Sequence, residues 1–403
     1  MADFYQNSIF STLQNLTNRS FGDMSEEILK FARRRKIALL LPALYSEFET
    51  EAMGLIIEEL KKIPFIETVV LSLDQANKEQ FEDVKRRLSM LPQEVKIIWN
   101  HGQKIQELYD ELLKEDFPLN IPGKGRVVWM GMGYVLSQNK HHVIALHDCD
   151  IKNYKKELVA RLVYPLVNRN LNYRFAKGYY ARASDKLYGR VKRLFYIPLI
   201  RALKKIVGSE NHFLCFLDNF RYALSGEFAF VSDLARTIRI SPTWGLEVSI
   251  LSEVYQSENL NKICQVEIMD TYEHKHNIID VTKPNHGLLR MATDIAKTTF
   301  RVLSQDGISM SEAFYRTLLA TYVQEARKTI EQYYALAEIN GLNYDRHDEI
   351  KSVESYSLAI KNAWEEFTEN PIGVRLISPW IRIESALPGF MEKLSDYVKE
   401  DNE

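Results

Sequence analysis

Short apolar runs alternate with longer segments in which apolar residues return every third or fourth position, and this alternation fills the chain up to Asp150. Ile37 to Leu41, Thr68 to Leu73, Val95 to Trp99 and Val143 to Leu146 are mostly apolar stretches of strand length. Runs of that kind read as strands buried on both faces. Between them, residues 49–62, 79–90 and 103–114 carry a helical period. Pro122-Gly123-Lys124-Gly125 opens a further helix running to residue 138. Strand-helix repetition predicts an α/β fold with a mostly parallel, doubly wound sheet. Residues 1–34 read as a helical arm with Ile9, Leu13 and Leu16 on one face. No solenoid repeat is present.

From Lys155 the pattern changes. A helix is expected over 157–169 and a strand over 175–180. Residues 264–269 alternate as a strand and end at Tyr272-Glu273-His274-Lys275-His276. Past Asn285 the pattern is helical over 288–304, 309–339 and 351–369, with a last helix over 388–399 after an interruption from Pro379 to Pro388. The expected organisation is an N-terminal arm (1–34), an α/β domain (35–285) and a C-terminal helical region (286–403). Phe314, Tyr315 and Tyr322 read as core or interface packing. Aromatic faces of this size predict a homodimer.

Composition narrows the class. The chain has 403 residues and a net charge of −2, so no global field favours nucleic acid. Cys149, Cys215 and Cys264 form neither a disulfide framework nor a metal-ligand spacing, which points to a reducing cytoplasm. No apolar run approaches the roughly 20 residues that span a bilayer, so no membrane partner is expected.

The chemistry gathers where strands end. Val143 to Leu146 runs directly into Asp148-Cys149-Asp150. Ligands of open α/β sheets bind beyond the carboxyl ends of the strands, and two acids there suit a hard divalent cation bridging to phosphate. Such a pair also occurs as a plain solvated loop. Gly123-Lys124-Gly125 at a helix start suits an anion, through free amides and one positive charge. A simple glycine turn is the other reading, and the motif lacks the Lys-Ser/Thr pair of a Walker loop. Arg190, Lys192 and Arg193 beside Gly189 could grip a phosphate or carboxylate, or could be a solvated helix start. Glu227 directly after Gly226 and Glu247 two residues after Gly245 lie in apolar surroundings, where a carboxylate needs a partner or marks a site.

Taken in order, Pro42-Ala43-Leu44, Gly123-Lys124-Gly125, Asp148-Cys149-Asp150, Gly189-Arg190-Val191, Gly226-Glu227, Gly245-Leu246-Glu247 and His274-Lys275-His276 resemble a known family. It is the retaining GT-A glycosyltransferases that make glucosyl-3-phosphoglycerate, with the related glucosylglycerate and mannosyl-3-phosphoglycerate synthases. The resemblance runs from Ile37 to His276. It implies a Rossmann-like GT-A fold with a C-terminal helical appendage. It also implies transfer of glucose from UDP-glucose to 3-phospho-D-glycerate with Mg²⁺ or Mn²⁺. Pro42, Ala43, Leu44, Glu47 and Asp74 would line the nucleotide site. The family's Asn-Glu-Glu stands here as Tyr45-Ser46-Glu47. Lys124 would meet the donor phosphates and Asp148 the ribose or metal shell. Asp150 and His274 would be metal ligands, with His276 in place of His274 if the register shifts. Gly189, Arg190 and Lys192 would hold the acceptor; the family commonly has Thr where Lys192 stands. Leu224 would present its carbonyl near the reacting centre, and Glu247 would bind sugar hydroxyls. Leu224, Glu247 and Arg190 are thus the implied catalytic set. Free glycerate as acceptor, GDP-mannose as donor, and a non-catalytic nucleotide-sugar-binding regulator are the alternatives.

Overall fold

A computed structural model describes residue 6 and residues 8–17, 19–273 and 287–403. Within them, β1 (Ser11–Leu13), β2 (Ile37–Leu44), β3 (Thr68–Asp74), β4 (Glu94–Trp99), β5 (Val143–Leu146), β6 (Phe175–Ala181), β7 (Phe228–Val231) and β8 (Ile263–Thr271) form one sheet. The order is β1-β8-β6-β7-β5-β2-β3-β4. β2 pairs in parallel with β3 on one side and with β5 on the other. The chain steps outward from β2 through β3 to β4, then returns to place β5 on the opposite flank. Strand order therefore reverses between β2 and β5, the kind of point where such sheets bind ligands. The last β2–β5 pair is Leu40 with Leu146, yet β2 continues to Leu44. Pro42 falls beyond that pair, so its missing N–H removes no bond to β5.

The sheet is mostly parallel, as the pattern predicts, with β7 running antiparallel to both β5 and β6. The helical arm is a correction. Ser11–Leu13 pairs with Cys264–Val266 as an edge strand, and the helix spans only Phe21–Ala32. Ser20 starts that helix by accepting from the Asp23 amide. Ile9 and Leu16 are exposed, so the expected apolar face is not buried.

The helix Lys124–Ser137 is buried along most of its length. Two glycines let neighbours in: a Cβ at Gly131 would collide with Leu40, and one at Gly133 with Trp380. Trp380 stacks on Trp129 with ring centroids 3.9 Å apart. Each indole N–H is satisfied, Trp129 donating to the Ser378 carbonyl and Trp380 to the Trp129 carbonyl. Removing a buried indole of this kind costs about 3–5 kcal/mol. The interruption expected between Pro379 and Pro388 contains a short helix, Trp380–Ala386, with Pro379 at its start, where a missing N–H is harmless. The last helix, Phe390–Asn402, ends at the open edge of β4. There Asn402 accepts from the Ile97 amide and donates to the Ile97 carbonyl, as a neighbouring strand would. The C-terminal helices thus brace the helix Lys124–Ser137 and cover a sheet edge.

Three long helices, Gly287–Gln305, Glu312–Ile339 and Arg346–Glu369, complete the C-terminal region. Their aromatic residues are used within the chain. Tyr322 donates to the Leu194 carbonyl, and Tyr315 stacks on Trp364 at 5.4 Å. Helices Ile197–Val207, His212–Asn219 and Leu246–Ser257 are additions to the expected pattern. Leu246–Ser257 is buried on nearly every side, so it carries no amphipathic period to read.

Candidate active site

The carboxyl ends of β2 and β5 bring acids together. β2 runs into a short turn, Tyr45–Glu47, which places Glu47 close to Asp148 and Asp150. The Glu47 carboxyl is pushed up to about 8, by burial first and then by the fields of Asp150 and Asp148. Its Oε2 is buried without a hydrogen-bond partner. Behind this cluster His147 is held by the Asp148 carbonyl at 2.8 Å and the Tyr154 hydroxyl at 3.0 Å. Burial lowers that imidazole to about 4, so it is a neutral support at physiological pH.

Lys124 enters from the helix start. Its Nζ lies 2.6 Å from Asp148 Oδ1 and 3.2 Å from Glu247 Oε1. Burial alone would lower this lysine; Asp148 and Glu247 outweigh burial and hold it well above its usual value. Glu247 sits in the first turn of the helix Leu246–Ser257, the favoured end for a carboxylate. The loop before it packs so closely on the helix start of Lys124 that only glycine fits. A Cβ at Gly125 would collide with the Ser241 carbonyl, and the Gly125 amide donates to the Pro242 carbonyl at 3.1 Å. The spacing of Gly123-Lys124-Gly125 thus serves backbone approach, and the lysine between them reaches the acids. Trp244, in the same loop, is 44% exposed.

Beneath Asp148 lies a second layer. A Cβ at Gly226 would collide with the Asp148 carboxylate, so the glycine makes room for it. Glu227 is fully buried and accepts from Tyr180 at 2.8 Å and Tyr272 at 2.5 Å. Burial, then Asp148, raises its carboxyl. Lys177 is 1% exposed and donates to the Ser225 carbonyl at 2.6 Å. Burial lowers it to about 8. This lysine clamps the turn that follows Leu224. Sequence reasoning missed Lys177, Tyr180 and Tyr272; a lysine inside an apolar strand was the available signal for the first.

Asp74 ends β3 in register with Leu44. His101 Nδ1 lies 3.1 Å from Asp74 Oδ1, but it already accepts from the Gln75 amide at 3.1 Å. Asp74 Oδ1 is therefore a buried acceptor without a donor. Pro42 and Ala43 are buried, and Leu44 is half-buried beside them.

The cationic segment joins the second layer through Tyr222, whose ring centre lies 4.9 Å from that of Tyr180. Gly189 adopts φ +73°, a left-handed conformation that favours glycine. The chain then enters a π-helical turn, Val191–Tyr196, a rare geometry often found at functional sites. Arg193 does not face a ligand. It is buried in a two-pronged pair with Glu349, at 2.7 and 3.1 Å, and also donates to the Tyr188 and Leu187 carbonyls. That is a correction to the expected three-cation cluster, and it ties this segment to the helix Arg346–Glu369. Arg190 approaches Glu349 and Asp348 loosely, at 3.6 and 3.8 Å. Lys192 points into the protein, 5.0 Å from the centre of the Tyr222 ring. Burial, then Arg193 and Arg221, lowers it to about 8.

The expected metal ligands His274 and His276 lie outside the described residues. Glu273, just before them, is tied to the segment after Asp150: its carbonyl accepts from Lys152 at 2.7 Å and its amide donates to Asn153 at 3.0 Å. Among the described residues no three His, Cys, Asp or Glu side chains converge as a metal cage.

This reversed-order sheet, with its ligand-facing groups at the β2 and β5 ends, has the architecture of a glycosyltransferase of GT-A type. Solved structures share the fold. The glucosyl-3-phosphoglycerate synthase of Mycobacterium tuberculosis, in complex with Mn²⁺, UDP and glucosyl-3-phosphoglycerate, superimposes with a TM-score of 0.53, over 75% of this chain and 89% of that one, at 21% identity. No family model matches the chain. Full-length relatives decide the matter. The chain is 58% identical to the glucosyl-3-phosphoglycerate synthase of Persephonella marina over 402 residues, covering 100% of this chain and 99% of the relative. It is 35% identical to that of Methanococcoides burtonii, covering 97% and 96%. The chain belongs to the glucosyl-3-phosphoglycerate synthase family.

Proposed function

We propose that this enzyme moves glucose from UDP-glucose to 3-phospho-D-glycerate with retention of configuration, using Mg²⁺ or Mn²⁺. One observation carries the reading: among the described residues, acids gathered around Lys124 and cations gathered around Tyr222 share one end of the sheet. The names of the full-length relatives support it, as do the Mn²⁺, UDP-glucose and phosphoglyceric acid bound by the mycobacterial enzyme.

Pro42, Ala43 and Leu44 shape the nucleotide seat, and Asp74 Oδ1 is the acceptor for its donors. Lys124 faces the diphosphate, with Asp148 aligning the lysine from below. The residues fit a hard cation. Asp150 supplies a carboxylate beside the unsatisfied Glu47 oxygen, and His274 follows a segment tied to it. Mg²⁺ typically uses one or two protein carboxylates together with substrate phosphates and water, so a full protein cage is not required. When bound, the cation neutralises charge on the departing diphosphate. Glu247, held by Lys124, accepts from sugar hydroxyls. Gly189, Arg190 and Lys192 hold the anionic end of the acceptor and thereby aim its hydroxyl. The turn after Leu224, fixed by Lys177, presents the Leu224 carbonyl to the reacting centre. No carboxylate nucleophile is assigned; the leaving phosphate can take the acceptor proton.

The test is a matrix of nucleotide sugars against glycerate and 3-phosphoglycerate, with and without metal, read as release of UDP or GDP. UDP-glucose with 3-phosphoglycerate and metal should be the best combination. Equal kcat/KM for glycerate and 3-phosphoglycerate, or full activity in EDTA, would overturn the reading. The reading includes a homodimer in a reducing cytoplasm. Leu336, Ile339 and Ile350, exposed near the turn between two long helices, are the surface for it. Light scattering that gives a monomer at micromolar concentration counts against the dimer. No helix of the described residues is long and apolar enough to cross a membrane.

A further inference from the structure

Arg182 is a cation beside the acceptor segment that neither the motifs nor the proposed roles account for. It follows the end of β6 and lies under Gly189: a Cβ there would be 3.7 Å from Arg182 Cδ and 3.2 Å from the Tyr222 hydroxyl. Arg182 donates to that hydroxyl at 3.3 Å. Its Nε is buried with no hydrogen-bond partner. Lys192 reaches the same tyrosine from the other side, over the ring. Neither cation has a hydrogen-bonded carboxylate among the described residues. Their neighbour Arg193 has one, in Glu349. The protein thus neutralises one buried cation of this corner and leaves two converging on Tyr222. Burying cations without anions is costly, and the cost is recovered when an anion arrives.

We propose that Arg182, positioned by Tyr222, forms with Lys192 the seat for a phosphomonoester dianion, and that this pair makes the enzyme select phosphorylated acceptors. The inference rests on the acceptor reading above and adds a specificity residue to it. A single carboxylate is satisfied by one guanidinium fork, which Arg190 offers. A phosphate carries close to two charges near neutral pH and three acceptor oxygens, enough to satisfy Arg182 and Lys192 together. Gly189 leaves the approach open, since any larger residue there would crowd Tyr222.

The experiment measures kcat/KM of Arg182→Gln with 3-phosphoglycerate, glycerol 3-phosphate and glycerate, and the affinity for UDP with Mn²⁺ by calorimetry. Both phosphorylated acceptors should lose about tenfold or more, as expected for a lost charge-assisted hydrogen bond. Glycerate should change less than about threefold, and UDP affinity should hold, which also shows the variant is folded. Tyr222→Phe, which keeps the ring under Lys192, should give the same acceptor pattern at about threefold. An equal loss on all three acceptors, an unchanged ratio, or a loss confined to UDP overturns the assignment while leaving the proposed reaction intact. A wild-type enzyme that turns over no phosphorylated acceptor overturns both.

Discussion

The two sides of this site solve opposite electrostatic problems with different means. On the proposed donor side, Lys124 is shared between Asp148 and Glu247, with Glu47 and Asp150 gathered close by. On the proposed acceptor side, Arg182 and Lys192 converge on Tyr222. The donor side is assembled from strand ends, with its charges fixed by short ion pairs. The acceptor side hangs on a π-helical turn braced from outside by Glu349. On the proposed reading, a metal and a diphosphate complete the first and a phosphorylated acceptor the second, so damage to one half should leave the other readable.

The largest break should come from Asp150→Ala. Turnover should fall by about a thousandfold, roughly 4 kcal/mol of transition-state stabilisation, with the melting temperature nearly unchanged. EDTA on the wild type should reproduce the loss, and undiminished activity in either case would remove the metal from the donor side.

Lys124→Ala comes next. It leaves Asp148 and Glu247 facing each other without the cation between them. UDP-glucose affinity should weaken by about a hundredfold, roughly 2.7 kcal/mol, with little change in acceptor KM. Calorimetry that gives the wild-type affinity refutes a donor role for this lysine.

Arg190→Ala sharpens the other half. KM for 3-phosphoglycerate should rise by about tenfold while UDP affinity stays the same. A parallel loss of UDP affinity would mean the two halves are not separable.

The smallest effect is in pH. Lys192, brought down from its usual 10.5 to about 8 by burial and then by Arg193 and Arg221, is charged below that pH and neutral above it. If Lys192 holds the acceptor as proposed, binding needs the charge, so KM for 3-phosphoglycerate should rise a few-fold as pH passes upward through about 8. In the unfolded chain the lysine keeps its proton to about 10.5, so carrying the charge costs the free protein stability below 8, and the cost fades between the two values. Bound phosphate should remove that cost and move the inflection upward. Lys192→Met should lack the limb altogether; if it persists there, the titrating group lies elsewhere.

Much of the donor side was legible in the chain. Four apolar residues running into Asp148-Cys149-Asp150 announced a strand end, and glycines around Lys124 announced a close backbone approach. Both are local signals. The acceptor side was legible only in composition. Arg190, Lys192 and Arg193 read as one cluster, but they separate in space: a π turn rotates successive residues differently from an α-helix, and Arg193 finds a carboxylate 156 residues away. Arg182 gave no signal, because nothing near it in sequence marks it as unpaired.

The sequence by itself determined which stretches are buried, hence the strands β2 to β5, the helices between them and the place where β5 delivers its acids. Periodicity reports how one segment meets an interior, and that is a property of the segment. Tertiary structure alone decided what each segment meets there. It reversed β7 between β5 and β6, turned Ser11–Leu13 into an edge strand, and set Trp380 on Gly133. It also gave Arg193 a carboxylate while, among the described residues, giving Arg182 none within hydrogen-bonding reach. Partner choice depends on which distant surfaces approach within a few ångströms, and a charge is spent or available according to that choice.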